Sequence, residues 1–224
     1  MDTLANRAEL YSAIENRYQF LMPEDYRAME ERGWLDSSVL MTKPFNLVNA
    51  VEETGILYLH DIEWFSLQEI AEFEFEDFQY DRFVPFAKTG GGDYLAFDPQ
   101  RQKTKQAFVV ELPRDCEIGS VHSPTFTACI YIEIISFCTG IYPQSIQSLS
   151  DAEKDARRCL SHWRRIMAEF FPRHWLVRLR ELEVSPLISL HTHGMLLDFA
   201  KYHRIIAEDA GMFSKEEVRW MKPN

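Results

Sequence analysis

The sequence predicts an α+β protein, with a twisted, mostly antiparallel sheet, flanking helices and a C-terminal helical extension. Three observations support this class. Apolar residues recur at helical spacing near the N-terminus, short strand-forming runs follow one another from residue 56 to residue 110, and helical spacing returns after Gly140. We expect an α+β domain over residues 1–145 and a helical extension over residues 146–224, which either stands alone or packs on the first domain.

Two helices are predicted before the sheet. The first follows from the helical spacing of Leu4, Ala8, Tyr11, Ile14 and Tyr18. The second begins at Pro23, whose fixed φ suits a first helical turn, and two acidic residues follow at its positive end. It offers Tyr26 and Met29 for burial and ends at Gly33.

Four short runs of strand-forming residues predict an antiparallel meander. They lie at residues 56–59, 83–86, 94–97 and 108–110, each bounded by Gly, Pro or Asp. Between the first two runs, the sequence Ser-Leu-Gln-Glu at residues 66–69 has the spacing of a capping box. It predicts the start of a short helix.

After Gly140 only helices are predicted. A second capping-box sequence at residues 150–153 precedes a helical stripe of Ala152, Ala156, Cys159, Trp163, Ile166 or Met167, and Phe170, which Pro172 ends. Further helices are predicted over residues 195–208, with a stop at Gly211, and from Ser214 onward. The aromatic residues Trp163, Phe170, Phe171 and Trp175 are predicted to be core between the extension and the sheet, or else part of a dimer interface.

The acidic residues are concentrated in the first part of the chain. Residues 1–145 contain 24 Asp and Glu against 11 Lys and Arg, a net charge of −13, whereas residues 146–224 have a net charge of +2. Clustered Lys and Arg drive binding to nucleic acids and to anionic membranes, so both partners are disfavoured. An acidic surface suits a basic protein partner, or it only keeps the protein soluble.

No targeting segment is visible in the sequence. An early acidic residue with no apolar region behind it argues against a signal peptide, and the most apolar stretch, residues 126–142, is short and interrupted by Glu133. The four cysteines, Cys116, Cys129, Cys138 and Cys159, lack C-x-x-C spacing and are expected to be reduced. We therefore expect a cytoplasmic location.

Three stretches, in order, resemble the SUKH superfamily, which includes the Smi–Knr regulators of yeast cell-wall synthesis and bacterial immunity proteins. Residues 21–26 are similar to the family's helix opening, residues 62–69 to its tryptophan segment, and residues 83–98 to its Phe-Pro strand and Gly-Gly-Asp turn. The matching motif residues are Pro23, Asp25, Tyr26, Trp64, Pro85, Gly91, Gly92 and Asp93.

The resemblance implies an α+β fold and a role in binding proteins rather than in catalysis. It also implies a class of partner, because many bacterial members resemble antidotes that bind a toxin, often a nuclease. The chain departs from the family in two places. Residues 35–53 form a longer connection than expected, and residues 146–224 have no counterpart in a minimal member.

Residues 61–81, the acidic segment, contain eight acids and no Lys or Arg. The acids are Asp61, Glu63, Glu69, Glu72, Glu74, Glu76, Asp77 and Asp81, and they interleave with Phe73, Phe75 and Phe78. Two interpretations are open. The segment is a partner-binding face that imitates a phosphate backbone in a basic cleft, or it is a solvated edge whose phenylalanines point into the core.

The three glycines at residues 90–92 lack the Gly-Lys-Ser/Thr ending of a phosphate-binding loop, so we predict a tight turn with positive φ. Asp93 and Asp98 flank the strand that follows. They either act as an acid–base pair or, as we expect, cap turns in solvent.

His191 and His193 on an extended segment would place two imidazoles on one side, and Cys159 and His162 are one helical turn apart. No third metal ligand lies at a suitable spacing in the sequence, so we predict no metal and no cofactor. No motif for a Ser or Cys nucleophile is present, and we predict no enzyme activity. A metal-dependent enzyme that uses the region of His191 and His193 is kept as an alternative.

Two non-catalytic functions are therefore predicted. The first is an immunity protein that neutralises a nuclease-type toxin through the acidic segment. The second is a regulatory scaffold that binds cell-envelope or signalling proteins through the helical extension. Both take a protein as the partner.

Overall fold

The computed structural model describes residues 4–36, 51–52, 55, 57, 62–76, 79–103, 106–141, 149–189, 194–210 and 216–222. Within these residues it has seven α-helices and a six-stranded antiparallel sheet, which confirms the predicted α+β class with flanking helices. None of the described helices combines the length and the apolar character needed to cross a bilayer.

The chain forms two compact units, each assembled from separate stretches of sequence. The sheet unit consists of Met1–Ser37, Asp61–Cys129 and Ser214–Asn224, and the helical unit consists of Ser38–His60 and Ile130–Phe213. Most of residues 35–53 and 146–224, the two departures from the SUKH pattern, belong to the helical unit. A compact unit is not necessarily an independently folding domain, so the predicted domain boundary at residue 145 stays a prediction.

The two predicted N-terminal helices are both present in the sheet unit. Helix α1 spans Leu4–Tyr18 and helix α2 spans Glu24–Glu31. Pro23 is the N-cap of α2, and Gly33, at φ +72°, follows its C-terminus as expected for a glycine stop. The hydroxyl of Tyr11 on α1 donates a 2.8 Å hydrogen bond to the carboxylate of Glu30 on α2, which joins the two helices.

All neighbouring strands of the main sheet are antiparallel. In spatial order they are β1 (Ile62–Trp64), β2 (Val84–Thr89), β3 (Tyr94–Lys103), β4 (Gln106–Leu112), β5 (Ile118–Ser123) and β8 (Glu217–Arg219). The predicted strand runs at residues 83–86, 94–97 and 108–110 fall in β2, β3 and β4. Of the run at residues 56–59, only Leu57 lies within the described residues, and it is buried.

The predicted capping box is present at the start of helix α3, which spans Leu67–Glu72. The Ser66 hydroxyl oxygen accepts a 3.2 Å hydrogen bond from the Glu69 N–H. In return, the Glu69 carboxylate accepts a 2.7 Å hydrogen bond from the Ser66 N–H. This reciprocal pair satisfies two backbone donors that a helix N-terminus otherwise leaves without partners.

Pro85 and Gly119 each suit a special position in the sheet. Pro85 lies in an interior strand, where its missing N–H is tolerated because the register between β2 and β3 shifts between Pro85 and Ala87. Gly119 in β5 approaches β4 so closely that a Cβ atom would lie 2.2 Å from the carbonyl oxygen of Glu111. Only glycine fits there without a backbone shift.

The prediction of a short helix from Ser214 is wrong over its described residues. Glu217–Arg219 form β8 and pair with β5. Val218 is buried, and the indole N–H of Trp220 donates a 2.6 Å hydrogen bond to the carbonyl oxygen of Cys116. Pairing with a distant strand therefore overrides the local preference of Ser-Lys-Glu-Glu for a helix start.

Aromatic rings form the core of the sheet unit. The ring of Tyr26 lies 5.6 Å from that of Phe97 and 5.1 Å from that of Phe126, measured between centroids. The Trp64 ring stacks on Phe86 at 6.2 Å. Because each large ring removes much apolar surface from water, this cluster is a main source of the unit's stability.

Four further helices complete the described structure. They are α4 (Phe126–Phe137), α5 (Leu149–Ile166), α6 (Arg173–Glu183) and α7 (Phe199–Ala210). The predicted helical stripe is confirmed, since Ala152, Ala156, Cys159 and Trp163 are buried on α5 and Met167 is buried in the 3-10 turn that follows. The predicted capping box at residues 150–153 is wrong, because helix α5 begins at Leu149 and Ser150 lies inside it. Pro172 is the N-cap of α6.

The prediction that only helices follow Gly140 is also wrong. Gly194–Met195 form β7, which pairs with β6 (Ile188–Ser189), so the helix predicted from Met195 begins only at Phe199. The Asp198 carboxylate accepts a 2.8 Å hydrogen bond from the Lys201 N–H, an N-cap contact that fixes this later start.

Candidate functional site

The six described acids of the acidic segment are all exposed. Glu63 lies in β1, Glu69 and Glu72 lie in α3, and Glu74, Glu76 and Asp81 follow α3. Asp61, Asp77 and Phe78 lie outside the described residues. The segment thus presents carboxylates to solvent over most of its described length.

The acidic segment belongs to the unit that holds nearly all of the protein's excess negative charge. The sheet unit contains 23 acidic and 13 basic residues, a net charge of −10, whereas the helical unit contains 12 and 11, a net charge of −1. The field around the sheet unit therefore attracts cations and basic surfaces.

Glu72, Glu74 and Glu76 form what we call the acidic row. They are exposed, while the alternating Phe73 and Phe75 are half-buried. Helix α3 ends at Glu72, and its C-cap Phe73, with φ −56° and ψ 125°, turns the backbone into an extended conformation. In an extended chain, successive side chains point to opposite faces, so exposed and half-buried side chains alternate. A binding face and a solvated edge both require this alternation of exposed glutamates with half-buried phenylalanines.

The phenylalanines beneath the acidic row belong to an aromatic cluster. The ring centroid of Phe73 lies 4.8 Å from that of Phe75, 5.3 Å from that of Tyr94 and 5.9 Å from that of Phe65. Tyr94 lies in β3, so the cluster joins the end of α3 to the sheet. The acidic row therefore has a packed apolar base.

Arg17, near the C-terminal end of α1, holds the end of α3 in place. Its guanidinium donates hydrogen bonds of 2.6 Å to the carbonyl oxygen of Ala71 and 2.5 Å to that of Phe73. These carbonyls are unpaired at a helix C-terminus, where a cation is favoured. Sequence reasoning missed this contact, because no local signal connects Arg17 with a helix more than fifty residues later.

Internal contacts occupy part of the acidic segment. Lys88 forms a 3.1 Å ion pair with Glu63 across β1 and β2. The Glu69 carboxylate is used in the capping box, and the amide of Gln68 donates to the carboxylate of Glu72. Within the described part of the chain, no ion pair involves the remaining acids Glu74, Glu76 and Asp81. These three carboxylates are the ones most open to a partner.

The residues that carry the SUKH resemblance build the fold rather than an exposed site. Tyr26, Trp64 and Pro85 are buried, and Pro23 caps α2. The Asp25 carboxylate accepts a 3.0 Å hydrogen bond from the backbone N–H of Thr127 at the start of α4. The remaining three, Gly91, Gly92 and Asp93, lie in the connection between β2 and β3.

The glycine-rich segment is a strand connection, as predicted. Gly92 has φ +88°, and its N–H donates to the Thr89 carbonyl oxygen at 2.9 Å. The Asp93 carboxylate accepts a 2.9 Å hydrogen bond from the N–H of Arg114, and the Asp93 N–H donates to the Thr89 hydroxyl oxygen at 3.2 Å. Asp93 therefore caps a turn.

The expectation that Asp98 is exposed to solvent is wrong. Its side chain is only 2% exposed and lies 3.3 Å from the guanidinium of Arg101. It also accepts a 3.1 Å hydrogen bond from the Gln100 N–H at the point where the pairing of β3 with β4 becomes irregular. A buried carboxylate needs such partners, and these explain its placement without a role in acid–base chemistry.

Only some of the candidate metal ligands lie within the described residues. His191 and His193 lie outside the described residues. Cys159 and His162 are both buried on α5, and the Nδ1 atom of His162 faces the guanidinium of Arg165 at 3.1 Å. No group of three or more His, Cys, Asp or Glu side chains within the described residues is arranged to hold a metal ion.

The cysteines are free thiols, and three of the four, Cys129, Cys138 and Cys159, are buried. Burial raises the pKa of the Cys138 thiol and that of the Cys159 thiol to about 12 each. Because the thiolate is the nucleophile and the metal ligand, neither group is suited to either task at neutral pH.

The predicted aromatic stripe lies mainly in the interior of the helical unit. Trp163 is fully buried, with its ring centroid 5.1 Å from that of Phe137 on α4. Phe171 and Trp175 are buried around Tyr131, and the Tyr131 and Trp175 rings stack at 4.3 Å. Phe170 is half-buried. These contacts lie within the helical unit, so the stripe forms the core of that unit and not a core between the extension and the sheet.

No protein-family model, curated protein sequence or solved structure matches this chain. The SUKH resemblance therefore stays a prediction that depends on the motif residues.

Proposed function

We propose that this chain is a non-catalytic immunity protein that binds and neutralises a nuclease-type bacterial toxin. The observation that carries the proposal is the acidic row, three exposed glutamates on an apolar base in a unit of net charge −10. The resemblance to the SUKH superfamily supplies the class of partner, because many bacterial members of that family resemble antidotes to nucleases.

The charge pattern suits a nuclease because of what a nuclease must bind. Its cleft holds Lys and Arg side chains that attract the phosphates of the nucleic acid backbone. A row of exposed carboxylates attracts the same cationic side chains and blocks access to the cleft. Attraction between opposite charges also accelerates the encounter, which favours an antidote that must act before the toxin does.

The helix end from which the acidic row starts is also held in position by contacts within the sheet unit. Arg17 fixes the carbonyl end of α3, and the capping box at Ser66 fixes its start. An ordered surface loses less conformational entropy on binding than a disordered one. The half-buried rings of Phe73 and Phe75 add apolar contact beside the charges, and aromatic residues, including Phe, are enriched at protein interfaces.

The partner is identified by a pull-down of the tagged chain from its source cell, with the genes adjacent to its own co-expressed. We expect a basic, toxic protein to co-purify, and we expect an equimolar amount of the chain to abolish the toxicity of that protein. Recovery of an envelope or signalling enzyme, with no effect on any toxin, would contradict the proposal.

The acidic row is then tested with the double variant E74K/E76K against the recovered toxin. The matched control is E9K/E31K, which makes the same change in net charge at exposed positions of α1 and α2. We expect E74K/E76K to slow association by about tenfold or more and to weaken its salt dependence, while the control stays close to the wild type. Equal slowing in both variants would assign the effect to net charge and not to the acidic row.

A regulatory scaffold is the second candidate, and one observation favours it. Val177 and Val184, two helical turns apart at α6, are 50% and 71% exposed. The double variant V177K/V184K should abolish partner binding by a scaffold and leave toxin neutralisation unchanged. Truncation after residue 145 is not a clean alternative, because it also removes β8 from the sheet.

A further inference from the structure

We draw no further inference here: the strongest candidate, the side-chain cluster of Arg158, His162 and Arg165 on α5 together with Glu52, rests only on the lowered pKa of one buried imidazole and therefore bears on stability alone.

Discussion

The carboxylate of Asp25 accepts hydrogen bonds from the backbone N–H of Thr127, at 3.0 Å, and from the Thr127 hydroxyl. Asp25 lies in the first turn of α2, and Thr127 lies in the first turn of α4. Helix N-termini have unpaired N–H groups and a positive partial charge, so one carboxylate stabilises the starts of two helices that are far apart in sequence.

We expect D25A to destabilise the protein by about 2 kcal/mol. The substitution removes a charged acceptor from the start of α4, so the Thr127 N–H loses the carboxylate to which it donates. Urea denaturation measures the change. The control E24A removes a neighbouring exposed carboxylate from the same turn of α2 and should cost less than half as much. Equal losses of stability in the two variants would show that negative charge at the start of α2, and not the contact with Thr127, is responsible for the effect.

Gly119 is expected to tolerate no side chain. In G119A the new Cβ would meet the Glu111 carbonyl oxygen at 2.2 Å, so β4 and β5 must move apart, at a cost of about 2–3 kcal/mol. In the control G91A, the nearest atom to the new Cβ is 3.5 Å away, and stability should change little. Thermal or urea unfolding compares the two variants. A wild-type stability for G119A would contradict the close approach of these strands.

His162 is expected to make the protein less stable in mild acid. Its pKa is lowered, chiefly by burial and further by the Arg165 guanidinium, while Glu52 acts in the opposite direction. The unfolded chain, with a histidine pKa of about 6.5, therefore binds more protons than the folded chain below that pH. Stability contributed by neutral His162 is lost as the pH falls from about 6.5 toward the lowered pKa, by at most about 1.4 kcal/mol per pH unit.

Urea denaturation on both sides of that pH range checks this prediction. The variant H162Q should lose less stability on acidification than the wild type, because glutamine does not titrate. The control H174Q replaces an exposed histidine of α6, and equal changes of the pH dependence in H162Q and H174Q would contradict a specific effect of His162. Parallel curves for the wild type and H162Q would contradict a lowered pKa at His162.

The thiols should differ sharply in reactivity. Cys116 is exposed, whereas the other three cysteines are buried, and burial raises the pKa values of Cys138 and Cys159 to about 12. A thiol-specific reagent at neutral pH should modify one cysteine per native chain quickly and all four after denaturation. C116S should abolish the fast phase, and C159S should leave it intact. A fast phase that survives in C116S would contradict the burial of the other thiols.

The sequence predicted the elements whose signals are local. The Ser66 capping box, the apolar spacing of α1 and the strand runs of β2, β3 and β4 each depend on residues close together in the chain, and all are present. Helix α4 gave no such signal, because residues 126–137 are apolar on nearly every face and show no amphipathic period. Strand β8 was mistaken for a helix, because its partner β5 lies far earlier in the sequence.

The sequence by itself determined the fold class, the acidic character of residues 61–81 and the turn at Gly92, since composition, period and backbone freedom are properties of short stretches. Only the tertiary structure decided which of the described acids form ion pairs and which do not. It paired Glu63 with Lys88, placed Arg17 at the end of α3 and left Glu74, Glu76 and Asp81 without an ion pair among the described residues. These contacts join side chains from separate elements, and no rule about neighbouring residues specifies which elements will meet.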